Sequence, residues 1–253
     1  MEMNYDIRQL SFAEILDRSF RIFRDHFLLL VGISACFFVP FGLFSSVLET
    51  RRVAASIAML LFMAILAPIV HIALTFAVAN LYLSRPVTIG SAYRGAKNIL
   101  TPAIGTFLLL DLLLLLAFLA LMIPAVYFVI CWALSTAVMV VEHRFGRLAL
   151  RRSRQLITGV WWSTLGLLLV ASLIVQVPVF GLSLLWSSIP VAGVVLNTAI
   201  YAVTAPYSSV VMIVYYFDRR CRIEDFDLRM LAEQIRTEGA QGMRAVSAPL
   251  SAS

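Results

Sequence analysis

The sequence predicts an all-α, polytopic membrane protein with six transmembrane helices, arranged as three hairpins that are each preceded by an amphipathic inner-surface helix. Three observations predict it. First, 61% of the 253 residues are hydrophobic and 13% are charged, against about 45–50% and about 25% in soluble domains. A soluble core has no use for that much apolar surface. Second, the apolar residues fall into four long runs, 27–48, 53–83, 99–141 and 160–217. Third, under the six-span count eighteen of the twenty Lys and Arg lie on one side of the membrane and only Arg51 and Arg52 on the other. Lys and Arg stay in the cytoplasm during insertion, so both termini are expected inside.

A helix needs about 20 apolar residues to cross the hydrocarbon core. The run 27–48 is one span. The run 53–83 is too short for two spans and a turn and reads as one tilted span. Splitting it would also scatter the basic residues over both sides. The run 99–141 carries a single charge, Asp111, and is predicted to divide near 122–124 into spans 99–121 and 124–141. The run 160–217 carries no charge. It divides around 186–193, where Ser-Ser-Ile-Pro supplies turn chemistry, into spans 160–184 and 194–217. Residues 1–238 form a single membrane domain, and 239–253, rich in Gly, Ser and Ala without periodicity, form a disordered tail. No cleavable signal peptide is expected, because no short apolar region precedes a small-residue cleavage site; the first span is retained and acts as the insertion signal.

The segment 11–27 reads as an amphipathic helix. Ser11 and Glu14 form a capping-box pattern. Phe12, Leu16, Phe20, Phe23 and Phe27 recur at helical spacing, and Arg18, Arg21 and Arg24 can reach headgroups while the rings lie in the interface. Packing of the same helix on neighbouring spans is the plainer alternative. Residues 92–101 (AYRGAKNILT) align without gaps with 149–158 (ALRRSRQLIT). This predicts three copies of one unit, 10–83, 86–141 and 145–217, related by pseudo-threefold symmetry. Beyond the last span, Tyr215 and Tyr216 suit the membrane boundary, and Leu228, Leu231 and Ile235 continue a short amphipathic helix.

Net charge is +6. Because the charges sit between apolar runs, they indicate topology and attraction to anionic lipid headgroups rather than nucleic acid. Three cysteines, Cys36, Cys131 and Cys221, match neither a disulfide framework nor a metal site.

Pro206, Tyr216, Asp218, Arg220, Arg222, Glu224, Phe226, Asp227 and Leu228 resemble the closing signature of a bacterial multi-pass membrane family. That family includes the membrane-embedded part of some glycerophosphodiester phosphodiesterases. Residues 149–153 with Leu156 and 159–162 resemble its central element, and 10–18 resembles its opening helix; the likeness covers about 10–230. The resemblance implies a bacterial cytoplasmic (inner) membrane. Phe217 is an insertion relative to the signature, and Asp225 stands where it has Gly. The phosphodiesterase itself needs a barrel domain with His and acidic residues around a metal, whereas the three His here are His26, His71 and His143 in other settings. No enzymatic role follows from the family.

Two sets of polar residues are candidate sites. His71 and Asp111 lie at similar depth in their spans and form a candidate intramembrane polar site, either as a relay or substrate contact, or as a pair that fixes packing. Arg151, Arg152, Asp218, Arg220, Arg222, Glu224 and Asp227 form a candidate inner-face motif. Within it, Asp225 and Asp227 are expected to pair with Arg220, Arg222 and Arg229. Glu142 is expected to pair with the basic helix that follows. Pro40, Pro68, Pro178 and Pro206 fall within spans. No catalytic motif or cofactor signature is found. The expectation is a non-enzymatic membrane protein, structural or regulatory, that contacts anionic lipids at its cytoplasmic face and partners another membrane protein. The alternative is a transporter or flippase of a lipid or small amphiphile using His71 and Asp111.

Overall fold

The computed structural model describes residues 10–48, 67–120, 122–186 and 190–224. Among them the chain is helical, with short connections. The helices are α1 (Phe12–Asp25), α2 (Phe27–Leu48), α3 (Ala67–Tyr82), α4 (Ile89–Ala120), α5 (Met122–Cys131), α6 (Ser135–Glu142), α7 (Arg147–Ile157), α8 (Trp161–Ser183) and α9 (Pro190–Glu224), with one 3₁₀ turn at Leu184–Trp186. Among the described residues five segments are long and apolar enough to cross a membrane: α2, α4, α5 with α6, α8 and α9. The sixth apolar helix, α3, has 16 described residues; the 53–66 part of its expected span, Arg51 and Arg52 lie outside the described residues.

Each boundary has a local cause. At α1, Ser11 Oγ accepts the Glu14 N–H and the Glu14 carboxylate accepts the Ser11 N–H at 2.7 Å, so the capping box forms. The buried face of α1 is Ile15, Ser19 and Ile22, while Phe12 and Phe20 stay exposed. The helix thus packs on the bundle through its isoleucines and Phe23, which lies against Tyr207, and turns Phe12 and Phe20 outward.

The expected surface helix of the second unit is not separate. It is continuous with its span in the 32-residue α4. The alignment of the two inner loops explains this. Thr158 is followed by Gly159, whose φ of +85° ends α7. The equivalent Thr101 is followed by Pro102, which stands inside α4. Proline holds φ near −65°, a helical value, so the chain runs on. The expected span 124–141 is instead two helices, α5 and α6. Their junction is fastened by buried Ser153 of α7, which donates to the Cys131 carbonyl at 2.9 Å and accepts the Leu134 N–H at 3.2 Å. The short helix expected at Leu228, Leu231 and Ile235 lies outside the described residues. The last span passes its expected end at 217 without a break, and α9 runs for 35 residues. At 1.5 Å per residue it measures ~50 Å, against ~30 Å of hydrocarbon, so its Arg-rich end must project beyond the apolar layer.

Helices α3 and α9 form the interior. Eleven of the 16 residues of α3 are buried, around most of its circumference, as befits a helix apolar all round. Helix α9 packs against α1, α2, α3 and α8, most extensively against α2. The first and last spans of the chain are therefore neighbours. Their approach is close at Gly42, where an added Cβ would stand 2.8 Å from the Thr198 side chain. Gly95 of α4 makes the same kind of room for the ring of Phe76 on α3.

Pro206 lacks the N–H that would bond the Ala202 carbonyl. That carbonyl is instead the acceptor of a hydrogen bond from Ser34 Oγ of α2, and Ser34 is fully buried. A donor from a neighbouring helix thus repairs the proline's gap, as lipid requires. Ser34→Ala is expected to cost about 1–3 kcal/mol, the penalty for an unsatisfied buried group. The loss should shrink in a Pro206→Ala background, where the backbone supplies the donor. Thermal melting of the four proteins in detergent checks this; an equal loss in both backgrounds refutes the repair.

Candidate inner-face site

The Arg-rich end of α9 carries the candidate site. Residues four apart share a helix face, so Tyr216, Arg220 and Glu224 lie on one side, Asp218 and Arg222 on another, and Arg219 on a third.

The first face joins α6 and α7. Arg152 Nε donates to both Glu142 carboxylate oxygens at 3.0 Å, and its Nη2 bonds Glu224 Oε1. Arg220 Nε donates to Glu224 Oε2 at 3.0 Å, and the Tyr216 hydroxyl donates to Glu142 Oε1 at 2.9 Å. The Arg220 guanidinium also lies 5.8 Å from the centre of the Tyr216 ring. Arg144 Nε reaches Glu142 from the more exposed side at 3.3 Å. Burial disfavours the charged form of Arg152, but its hydrogen bonds to Glu224 and Glu142 outweigh that, and its pKa stands above the ordinary arginine value.

The second face clasps the segment ahead of α1. The Asp218 carboxylate is 3% exposed as a residue, accepts the Leu10 N–H at 2.7 Å, and takes Arg222 Nε at 2.9 and 3.1 Å. Arg222 Nη2 closes the ring by donating to the Leu10 carbonyl at 2.5 Å. Chain segments more than 200 positions apart are joined by three groups. Phe217 is fully buried and stacks on Tyr82 of α3 at 4.9 Å, with 9° between the rings. The Tyr82 hydroxyl accepts from Arg18 of α1 at 3.1 Å.

Of the seven sequence-predicted inner-face residues, Arg152, Arg220 and Glu224 are brought together in one cluster and Asp218 and Arg222 in another. Arg151 points outward and is exposed. Asp227 lies outside the described residues, as do Asp225, Arg229 and the tail 239–253. The pairing expected of Asp225 and Asp227 with Arg220, Arg222 and Arg229 lies outside the described residues; among the described residues Arg220 pairs with Glu224 and Arg222 with Asp218, each one helical turn away on the same helix. Glu142 does pair with the following basic helix.

The two intramembrane candidates are placed separately. His71 lines a 90 Å³ cavity with Thr75, Thr136, Ser208 and Ser209, and Asp111 is not part of that lining. Asp111 stands on an exposed face of α4 beside Leu108, Leu112 and Leu115. Among the described residues neither makes a hydrogen bond or ion pair, and no group of three or more His, Cys, Asp or Glu is placed to hold a metal ion.

Sequence reasoning missed Arg219 and Leu10. Arg219 is 8% exposed, and its Nε donates to the Leu156 carbonyl at the end of α7 at 2.8 Å. The signal for it was its register: it lies four residues beyond Tyr215, on the side of α9 that faces α7 and α8. The Leu10 contact uses backbone groups, which carry no residue-type signal. Comparison with family models, with curated proteins and with solved structures returned no match.

Arg152→Met should cost about 3–5 kcal/mol, because it leaves two largely buried carboxylates facing each other. Arg151→Met should stay within about 0.5 kcal/mol, as for an ordinary surface change. Melting in detergent distinguishes them, and similar losses would remove the network from its central place. Asp218→Ala should leave the Leu10 N–H unpaired, and hydrogen exchange at residues 10–20 should then rise ahead of exchange in α3.

Proposed function

We propose that this chain is a non-enzymatic membrane module, structural or regulatory, whose basic end holds anionic lipid headgroups. One observation carries the reading. At this end the described acids Glu142, Asp218 and Glu224 are consumed by internal ion pairs, while Arg94, Lys97, Arg147, Arg151 and Arg154 remain exposed. The surplus that faces outward is cationic, which suits the negative surface of a cytoplasmic leaflet. The same surplus supports a location in the bacterial cytoplasmic membrane, with both termini and this end inside. The proposal includes six spans in three hairpins, with the 53–83 run as the second span. It also includes kinship with the membrane family that carries the closing signature. A further membrane protein remains a proposed partner.

A second reading, transport or flipping of a lipid or small amphiphile, rests on the cavity at His71, whose lining includes four hydroxyl side chains. Asp111 does not contribute to that lining, which weakens the original pair.

Reconstitution separates the two readings. The first predicts that the purified chain enriches phosphatidylglycerol over phosphatidylcholine, and that replacing Arg147, Arg151 and Arg154 with Gln lowers the enrichment severalfold. Added salt should lower it as well, since exposed charges are screened. Equal affinity for both lipids would sink it. Protein-dependent movement of a labelled lipid across vesicles, lost in His71→Leu or Asp111→Asn, would establish the second instead.

A further inference from the structure

Arg219 differs from the other described cations at the inner end of α9. It is more than nine-tenths buried, yet among the described residues no carboxylate pairs with it; its Nε is used by a backbone carbonyl. Arg219 lines a 220 Å³ cavity between the start of α1, the start of α8 and α9. A water needs only ~10–15 Å³ of such space, so a polyatomic ion fits. Arg222 and Asp218 also line the cavity, but Asp218 has both oxygens engaged by Arg222 and the Leu10 N–H. One positive charge is left over.

The backbone adds to that charge. Ser11, the N-cap of α1, and Ser163, in the first turn of α8, both line the cavity. The N-cap position of α8 is Val160, which has no side chain able to cap, and no side-chain cap bond is made there. Two helix starts therefore converge on one space, each with free N–H groups and the positive end of a helix dipole. The nearby acid of α1, Glu14, is engaged with the Ser11 N–H. The Tyr215 hydroxyl is held by Thr164. Phe12, Ile15 and Leu167 supply an apolar wall on the remaining side.

We infer that this cavity binds one phosphate-bearing anion. Arg219 supplies the charge, the α1 and α8 starts supply backbone donors, and the apolar wall accommodates carbon attached to the phosphate. The inference rests on the lipid-contacting reading above and names its specific site. Phosphate chemistry reaches it either as a phospholipid headgroup or as a free ion.

The test uses the full chain, delipidated in neutral detergent, with native mass spectrometry and melting as readouts. Short-chain phosphatidylglycerol, phosphatidylcholine and inorganic phosphate are titrated separately. The expected result is saturable binding of one phosphatidylglycerol, weaker binding of phosphatidylcholine, and at least tenfold weaker phosphatidylglycerol binding in Arg219→Gln. Ser163→Asp places a competing carboxylate in the cavity without touching the Arg219 to Leu156 bond. It should weaken binding as much while melting normally, because an acid in a helix's first turn is favourable. One-to-one binding of inorganic phosphate that displaces the lipid identifies the free ion as the source; lipid binding without phosphate binding identifies the headgroup. The inference is overturned if neither probe binds one-to-one, or if both variants bind as the parent does. Should the Arg147, Arg151, Arg154 variant lose bulk lipid enrichment while the single bound lipid persists, the general reading and this site are shown to be separable. Bulk enrichment without the single bound lipid leaves the general reading standing and removes this site alone.

Discussion

Asp218, Arg219 and Arg220 follow one another on α9, and a helix turns about 100° per residue. Three adjacent side chains must therefore leave in three directions. Asp218 clasps the backbone at Leu10, Arg219 takes the Leu156 carbonyl of α7, and Arg220 joins the Glu224, Arg152 and Glu142 network. This works only because α9 does not break where the apolar run ends. A flexible joint at Asp218 would leave each side chain free to turn, and α1, α6 and α7 would lose a common reference. The uninterrupted helix transmits the position of the spans to the polar end.

The same economy of backbone groups operates inside the apolar layer. Every N–H and C=O there needs a partner within the protein. The Ser34 bond to Ala202 meets the gap at Pro206, and Ser153 meets the gap between α5 and α6. Each donor comes from a different helix, so repairing a local break also fixes how two helices sit against each other. Small residues complete the fit where helices approach, as at Gly42 and Gly95.

What the sequence made legible follows from which physics is local. Apolar run length and the capping box at Ser11 depend on neighbours in sequence; the capping box forms, and five of the six expected spans are met by long apolar helices among the described residues. The fate of the basic loops was not legible, because Thr-Pro and Thr-Gly look equally like interruptions on paper. Proline at 102 keeps a helical φ and glycine at 159 adopts a left-handed one, so one loop became part of a helix and the other a true boundary. In the site, the arginines and acids stood out as a motif, and Glu142 was legible as a partner of the basic helix after it, but the other partners in place were not. The pairs Asp218–Arg222 and Arg220–Glu224 follow from four-residue spacing once α9 is known to continue. Arg152 with Glu142 and Glu224 depends on three helices meeting, and Arg219 acts through a carbonyl and a cavity that only the fold creates.

The buried charges are better understood as devices of register than as sources of stability. Taking an ion pair out of water costs about what the pair returns, so apolar replacements of similar shape often do as well. An apolar contact, however, tolerates a small slide or rotation, whereas the Arg152 guanidinium must meet Glu142 and Glu224 together. The acids Glu142 and Glu224 are placed where they fix α6, α7 and α9 against one another, and none of the described acids is spent on Arg219. A cation that holds α7 only through a backbone carbonyl, yet is kept buried at the meeting of two helix starts, has its charge left for something from outside the chain. That difference in use, between arginines already answered by acids and one that is not, is what separates the scaffold at this end of the protein from its binding site.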